Sequence, residues 1–411
     1  MADIAYCNNI KCVLCQRRTR YPDDQVPKCR LCGGTQFVEK RVLDPVINRP
    51  ALPTWETTTE GGSKPDVLQV AMYAPCTNPD KQWSTVSAVA EIVKLYRGVK
   101  DDDRDTVALR IRLLRDKILE AEKKLPLAGE RSVQKLFIVP EWFFRKCIDQ
   151  DYYGGQYSEE EMRAAVQGLL TLSAQVDMRE WLIVAGSIRW RRPVTTATRR
   201  HANGDSVVLA PFECRNTWLE LNTTVVVFKG KMIRCYYKKW NGGDTGGEVV
   251  QPDKLGDPDV KRIFATQHSV RNPTVEIRTA LNELVKVKWH FGVDIDDAVV
   301  PGNFTFRTVK MGVEICADAD NAALRTDVDQ SLDLHIIVSC DLEDLDPFRC
   351  AAIKNAGYLV QCDGNQLSFK VHKQLSFKVL RRTGLSYETV RGELHGETVS
   401  ASIYVTELTL D

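Results

Sequence analysis

The chain has 411 residues, 43% of them hydrophobic, and its 56 Lys and Arg against 55 Asp and Glu leave a net charge of +1. That is enough apolar material for a large core, and the balance excludes a global electrostatic pull toward nucleic acid or an anionic membrane. No apolar run approaches the ~20 residues of a membrane span, and the start Met1-Ala2-Asp3-Ile4 lacks a basic-then-apolar leader, so a cytoplasmic protein is expected.

Five of the 13 cysteines fall in the first 32 residues. Cys12 and Cys15 form one CxxC knuckle, Cys29 and Cys32 a second, and thirteen residues separate them. Four thiolates at this spacing suit a tetrahedral, closed zinc site. A segment this short cannot bury enough surface to fold alone, so the metal supplies folding energy. Residues 1–41 are therefore read as a zinc-ribbon-like module with a structural Zn2+. Its basic residues are offset by Asp23 and Asp24, and few aromatics stand ready to stack bases. Contact with protein is favoured over contact with nucleic acid.

Residues 42–65, with Pro45, Pro50, Pro53, Pro65 and Gly61-Gly62-Ser63, have linker composition. From 66 to 411 the texture is one large α/β domain. Val67–Ala74 reads as a strand. Val107, Ile111, Leu114, Ile118, Ala121 and Leu125 form a helical stripe. Leu136–Val139 reads as a buried strand ended by Pro140, and Ser158 with Glu161 as a capping box before a helix. Strands are predicted at Leu182–Ala185, Thr223–Phe228, Thr308–Ile315, His335–Ser339, Tyr358–Gln361 and Ser400–Thr406, and a helix at Pro347–Ala356. Residues 249–303 look inserted and serve either as a lid near the pocket or as a surface decoration or dimer contact. The pentapeptide Gln-Leu-Ser-Phe-Lys occurs at 366–370 and again at 374–378; a duplicated strand is its simplest reading.

Three patches each put one reactive group where a strand runs out. Phe137-Ile138-Val139-Pro140 leads into Glu141. Gly230-Lys231-Met232-Ile233-Arg234-Cys235-Tyr236-Tyr237 leads into Lys238. Gly312-Val313-Glu314-Ile315 leads into Cys316, followed by Ala317 and Asp318. Taken singly they are a solvated carboxylate, a surface lysine and a buried thiol. Nothing else competes: GxSxG, GxGxxG, P-loop and HExxH motifs are absent, and the six histidines show no ligand spacing. His335, in an apolar strand, reads as a core histidine.

In this order the three patches resemble the nitrilase superfamily of carbon–nitrogen hydrolases, from about Val67 to about Thr406. Gly230, Met232, Tyr236 and Lys238 fit that family's lysine motif, and Gly312 to Cys316 its cysteine motif. The resemblance implies a four-layer α-β-β-α sandwich and a Glu141–Lys238–Cys316 triad with Cys316 as nucleophile. It further implies a backbone oxyanion donor at Ala317, a second glutamate for which Glu248 is the candidate, and a homo-oligomer. No metal or other cofactor enters the chemistry it implies. Asp318, in Cys-x-Asp, is more usual in amidases and carbamoylases than in nitrile-hydrolysing members, so a small amide or N-carbamoyl substrate is favoured over a nitrile. The family's usual Arg or Trp, aromatic, Pro-Glu continuation is replaced by Ala319-Asp320-Asn321. Acyl transfer to an amine, or an inactive fold serving as a scaffold, remain alternatives.

Overall fold

The computed structural model describes residues 53, 55–75, 77, 107–127, 129–145, 157–193, 217–238, 302–320, 322–328, 330–340, 342, 345–364, 377–395 and 403–410. Within these, 191–193, 217–220 and 326–327 are described by backbone alone, as are short strands at 4–7, 19–20, 37–39, 42–46, 198–201, 206–208, 261–264, 274–278 and 284–288. The four knuckle cysteines, Glu248 and the first QLSFK copy lie outside the described residues.

Two sheets dominate. The larger contains β1 (Val67–Tyr73), β2 (Val133–Ile138), β3 (Trp181–Val184), β4 (Ile188–Pro193), β5 (Thr217–Phe228) and β6 (Lys231–Tyr237). Strands β1, β2 and β3 are parallel neighbours, β5 runs antiparallel to β3, β4 and β6, and Lys261–Phe264 pairs with the start of β5. The second sheet runs in order β7 (Asn303–Phe306), β8 (Val309–Ile315), β9 (Leu332–Ser339), β10 (Ile353–Asp363), β11 (Phe377–Thr383) and β12 (Ser386–Thr389). Its central strands β8, β9 and β10 are parallel. On the larger sheet's free edge, β13 (Glu393–His395) pairs with β14 (Ile403–Thr409), which pairs with β1.

Alternation along the strands sorts side chains into three apolar clusters. Leu68, Val70 and Met72 of β1 join Leu136, Ile138, Val184 and Val226 on one face and meet Val313, Ile315, Ile336, Val338 and Val360 of the second sheet. Ala71, Tyr73, Phe137 and Ile183, on the opposite face, pack beneath α1 (Val107–Glu122) and α2 (Glu159–Ala174) through Leu114, Ile118, Met162, Val166 and Leu169. A strand buried on both faces reads as a continuous apolar run, which is why β1 shows no polar alternation. The outer face of the second sheet, with Leu332, Ile337 and Leu359, packs on α3 (Ala317–Asp320), α4 (Ala323–Val328) and α5 (Pro347–Cys350) through Ala319, Leu324 and Cys350.

Several local expectations are met and some are corrected. Ser158 Oγ accepts from Glu161 N–H at 3.1 Å while Glu161 Oε2 accepts from Ser158 N–H at 2.7 Å, the reciprocal capping box. The helix expected over Pro347–Ala356 stops at Cys350. Its next residues are taken by β9: Leu332 N–H donates to Ala352 O, and Leu332 pairs with Ile353. Sheet hydrogen bonds thus outweigh the helical propensity of the Ala-rich stretch. Strand β5 begins at Thr217, six residues before the expected Thr223. The amphipathic piece around 275–287 is a hairpin of Thr274–Arg278 with Leu284–Lys288. Val42–Val46 pairs with Thr198–His201, and residues 53–60 lie against the domain. There Thr58 N–H donates to Met232 O of the larger sheet, and Arg307 N–H of the second sheet donates to Glu60 O. No described helix is long and apolar enough to cross a membrane.

Gly186, at the turn out of β3, has a φ of +64°, and a Cβ there would meet Pro140 O at 2.1 Å. Backbone strain and this backbone clash act together, so Gly186→Ala should lower stability by about 2 kcal/mol or more in urea unfolding. Retention of wild-type stability would show that the Pro140 turn yields freely.

Candidate active site

The ends of four strands converge. Pro140 has no N–H to extend the ladder, so β2 gives way to Glu141, whose N–H crosses to Ser339 O at the end of β9 (3.3 Å). Strands β8 and β9 are parallel with Ile315 opposite Val338. Cys316 N–H continues that ladder to Val338 O at 2.9 Å. Cys316 therefore leaves its strand beside Ser339 and Cys340, at the carboxyl ends where open α/β sheets place their ligands. Lys238 follows β6, its N–H donating to Asn222 O at 2.9 Å.

Glu141 is fully buried and Lys238 nearly so, at 3% exposed. Lys238 Nζ donates to Glu141 Oε1 at 2.8 Å, and Asn222 Nδ2 donates to the same oxygen at 2.8 Å. Glu141 Oε2 accepts the backbone N–H of Cys340 at 3.1 Å. The carbonyl of the same residue, Cys340 O, lies 3.7 Å from Cys316 Sγ. One residue's backbone thus touches both the carboxylate and the thiol. The sequence-predicted Glu141, Lys238 and Cys316 are gathered around it, with Ala317 directly after the thiol at the start of α3.

Cys316 has a φ of +46°. A non-glycine residue held in the left-handed region costs about 1–2 kcal/mol, and such strain is over-represented where a side chain must be presented at a sharp turn. Asp318 is fully buried and accepts from Tyr236 Oη at 2.6 Å. Tyr236 precedes Lys238 by two residues on the same face of its strand. This bond ties the lysine's strand to the turn after the thiol.

A second network holds the end of β9. Ser339 Oγ donates to Asp363 Oδ2 at 2.6 Å and accepts from Gln361 Nε2 at 3.1 Å, while Asp363 Oδ2 also accepts from Leu342 N–H at 3.0 Å. Ser339 O receives N–H groups from both Glu141 and Gly364. Asn222 and this Ser339–Asp363–Gln361 set escape the sequence reading. Asn222 sits one residue before the strand that hydrophobicity reveals, and its only signal is a polar residue ahead of an apolar run.

Three of the other described cysteines, Cys235, Cys350 and Cys362, differ in setting from Cys316. Burial pushes the Cys235 thiol up to about 12. Burial, with the nearby Glu314 carboxylate second, pushes Cys350 to about 12. Burial holds Cys362 well above the usual thiol range. Such thiols are poor nucleophiles. His335 is a core residue as expected: its Nε2 lies 2.8 Å from Glu314 Oε2, and its Nδ1 accepts from Ala352 N–H at 3.4 Å. Among the described residues no group of three or more His, Cys, Asp or Glu side chains is arranged to hold a metal ion.

No protein-family profile matches the sequence, and no curated protein matches it. Solved structures do. The chain is similar to Saccharomyces cerevisiae Nit3, a member of branch 10 of the nitrilase superfamily, with 16% identity and a TM-score of 0.39 over 85% of this chain and 93% of that one. It is similar to a point mutant of the amidase from Nesterenkonia sp. AN1 with the acetamide moiety of fluoroacetamide added covalently at its active-site cysteine, with 12% identity and a TM-score of 0.37 over 86% and 94% of the two chains. It is also similar to a glutamine-dependent NAD+ synthetase from Acinetobacter baumannii, with 10% identity and a TM-score of 0.37 over 84% of this chain and 45% of that one.

Proposed function

We propose that this chain is a nitrilase-superfamily enzyme that hydrolyses a carbon–nitrogen bond in a small amide or N-carbamoyl compound, through a thioester on Cys316. The supporting observation is the placement of a buried Glu141–Lys238 pair and the Cys316 thiol on the two ends of one residue, Cys340. The order of the three apolar clusters, helices over sheet over sheet over helices, accords with the four-layer α-β-β-α sandwich that the sequence motifs imply.

In this reading Glu141 takes the thiol proton, and the thiolate attacks the substrate carbon. A free thiol is only a few per cent ionised at neutral pH, so the base is needed. The oxyanion forms against the Lys238 ammonium and the N–H of Ala317. Glu141 then protonates the departing amine and, in the second half, takes a proton from water as it attacks the thioester. Asn222 and the Cys340 N–H each donate to a Glu141 oxygen, which aims the carboxylate. Glu248 is proposed as the second glutamate, from the sequence motif alone. Asp318, held by Tyr236, favours amide or carbamoyl chemistry over nitriles. A small-molecule substrate and subunit association are both proposed on the same resemblance.

For the first 41 residues we propose a single structural zinc held by Cys12, Cys15, Cys29 and Cys32. Four cysteine thiolates leave such a site no open position, so its contribution is folding and the display of a surface, with a protein as the favoured contact.

Cys316→Ala should abolish turnover and leave the chain folded. Incubation with cell extract should load an acyl group on wild-type Cys316, read as a mass increase, and none on the variant. Full activity of Cys316→Ala on a substrate found this way would remove Cys316 from the chemistry. Glu141→Gln should lower kcat by about two to four orders of magnitude, the usual range for a lost general base; a change under threefold would contradict its role.

Metal analysis of reduced, full-length protein should give one zinc per chain, and Cys12→Ser with Cys29→Ser should release it. A zinc content unchanged by that double substitution would refute the site.

A further inference from the structure

Two parallel strands of the second sheet run out into cysteines. β8 is followed directly by Cys316, and β9, which ends at Ser339, directly by Cys340. Cys340 belongs to none of the three patches that lead into Glu141, Lys238 and Cys316. Cys316 N–H donates to Val338 O at 2.9 Å, so the ladder sets Cys316 opposite Ser339 and one residue short of Cys340. Strands ~4.8 Å apart and a rise of ~3.3 Å per residue put the two cysteine Cα atoms about 6 Å apart, inside the ~4.4–6.8 Å that a disulfide spans.

Strand alternation alone would send the two side chains to opposite faces. The backbone breaks that alternation at both residues. A continued parallel ladder would give the Cys340 N–H to Cys316 O. Instead Cys316 O accepts from Ala319 N–H at 3.0 Å, and Cys340 N–H donates to Glu141 Oε2 at 3.1 Å. Cys316 itself turns at a φ of +46°, and its Sγ lies 3.7 Å from Cys340 O. The first sulfur thus already rests against the backbone of the second cysteine. Both residues are in the thiol form and largely shielded, Cys316 at 8% exposed and Cys340 at 5%. An opening that admits a small amide also admits hydrogen peroxide. The two reagents meet the same group, because a thiolate is the attacking species toward both.

We propose that Cys316 and Cys340 form a reversible redox couple, in which hydrogen peroxide converts the nucleophile into a Cys316–Cys340 disulfide and a dithiol reductant restores it. The inference rests on the reading of Cys316 as the nucleophile that Glu141 deprotonates. In the first step the Cys316 thiolate attacks one peroxide oxygen. An S–O bond forms and the O–O bond breaks, sulfur giving up two electrons to oxygen. The departing hydroxide takes the proton held by Glu141 and leaves as water. In the second step the Cys340 sulfur attacks the sulfenic sulfur. The S–S bond forms, the S–O bond breaks, and the hydroxyl leaves with the Cys340 proton as a second water. The sum is two thiols and one peroxide to one disulfide and two waters. A sulfenic acid left alone takes up further oxygen and reaches the sulfinic state, which a thiol does not reverse. Cys340 intercepts it before that point. Closing the bond also draws on the residue whose N–H holds Glu141 Oε2, so one event occupies the nucleophile and disturbs the base.

Trypsin separates the pair, because residues 311–325 carry Cys316 as their one cysteine and residues 326–349 carry Cys340 as theirs. Full-length reduced protein is treated with hydrogen peroxide, denatured in acid urea, blocked with N-ethylmaleimide, digested and read by mass spectrometry. The linked peptide of 311–325 with 326–349 should grow with time, lighter by two hydrogens than its two parts together. Dithiothreitol should return both cysteines to alkylatable form. Cys340→Ser, which keeps the backbone groups, should lose the link, accumulate Cys316 as sulfinic acid and lose recovery by dithiothreitol. Wild-type Cys316 found as sulfinic acid while Cys340 is still alkylated overturns the inference, as does a bond from Cys316 to any other cysteine. Neither of these outcomes needs a variant to fold. Recovery of Cys340→Ser as complete as that of wild type overturns it too. Iodoacetamide labelling of untreated protein separates this inference from the reading beneath it. Fast labelling of Cys316 without a peroxide-driven link leaves the nucleophile standing and removes the redox couple alone, whereas a Cys316 inert to both reagents removes both.

Discussion

A carboxylate and an ammonium withdrawn from water each lose several kcal/mol of hydration, and their mutual attraction restores this only when geometry is good and the remaining lone pairs are met. Glu141 and Lys238 are such a pair, with neither side chain reaching solvent to any useful extent. The fold supplies what the pair needs. Asn222 from β5 shares the first carboxylate oxygen with the lysine, and the Cys340 amide takes the second. Removing any one of these would leave a buried charge undercompensated, so the two sheets are fixed against each other at this point by electrostatics as much as by apolar packing.

That constraint explains the positions of the other groups. Glu141 belongs to the larger sheet and Cys340 to the second, so the carboxylate is itself a cross-sheet contact. Cys316 lies beside Cys340 because β8 and β9 are parallel and in register up to Ile315 and Val338. The Tyr236–Asp318 bond makes a further crossing, from the lysine's strand to the turn beyond the thiol. The thiol is thus presented by strained backbone at a turn anchored from both sheets, which is how a left-handed conformation at a non-glycine residue persists.

Much of this was legible in the sequence. The strand ends carrying Glu141, Lys238 and Cys316 were marked by short apolar runs closed by a polar residue, and the helix at Glu159–Ala174 by its capping box. What escaped has physical causes. Asn222 looks like the residue before a strand because apolar patterning begins at Thr223, while the backbone ladder extends to Thr217. The helix at Pro347 is shorter than its sequence suggests because Ala351, Ala352 and Ala356 favour helix locally, and only the hydrogen bonds of a distant strand reverse that preference. The pairing of a carboxylate with a backbone amide 199 residues away leaves no local trace in the sequence at all.

The segment from Pro53 to Glu60 has a mechanical meaning. It is bonded to the larger sheet at Thr58 and to the second at Glu60, and Tyr237 Oη donates to Pro53 O at 3.0 Å immediately before the lysine. The chain therefore enters the domain as a stitch across its seam. Tension applied from the N-terminal side is delivered to the lysine strand, to α2 through Trp55 and Arg163, and to the join between the sheets. A trimmed protein that starts ahead of Pro53 keeps that seam closed, whereas one that starts after Glu60 exposes Met232 O and Arg307 N–H together, at the ends of their strands opposite to Lys238 and Cys316.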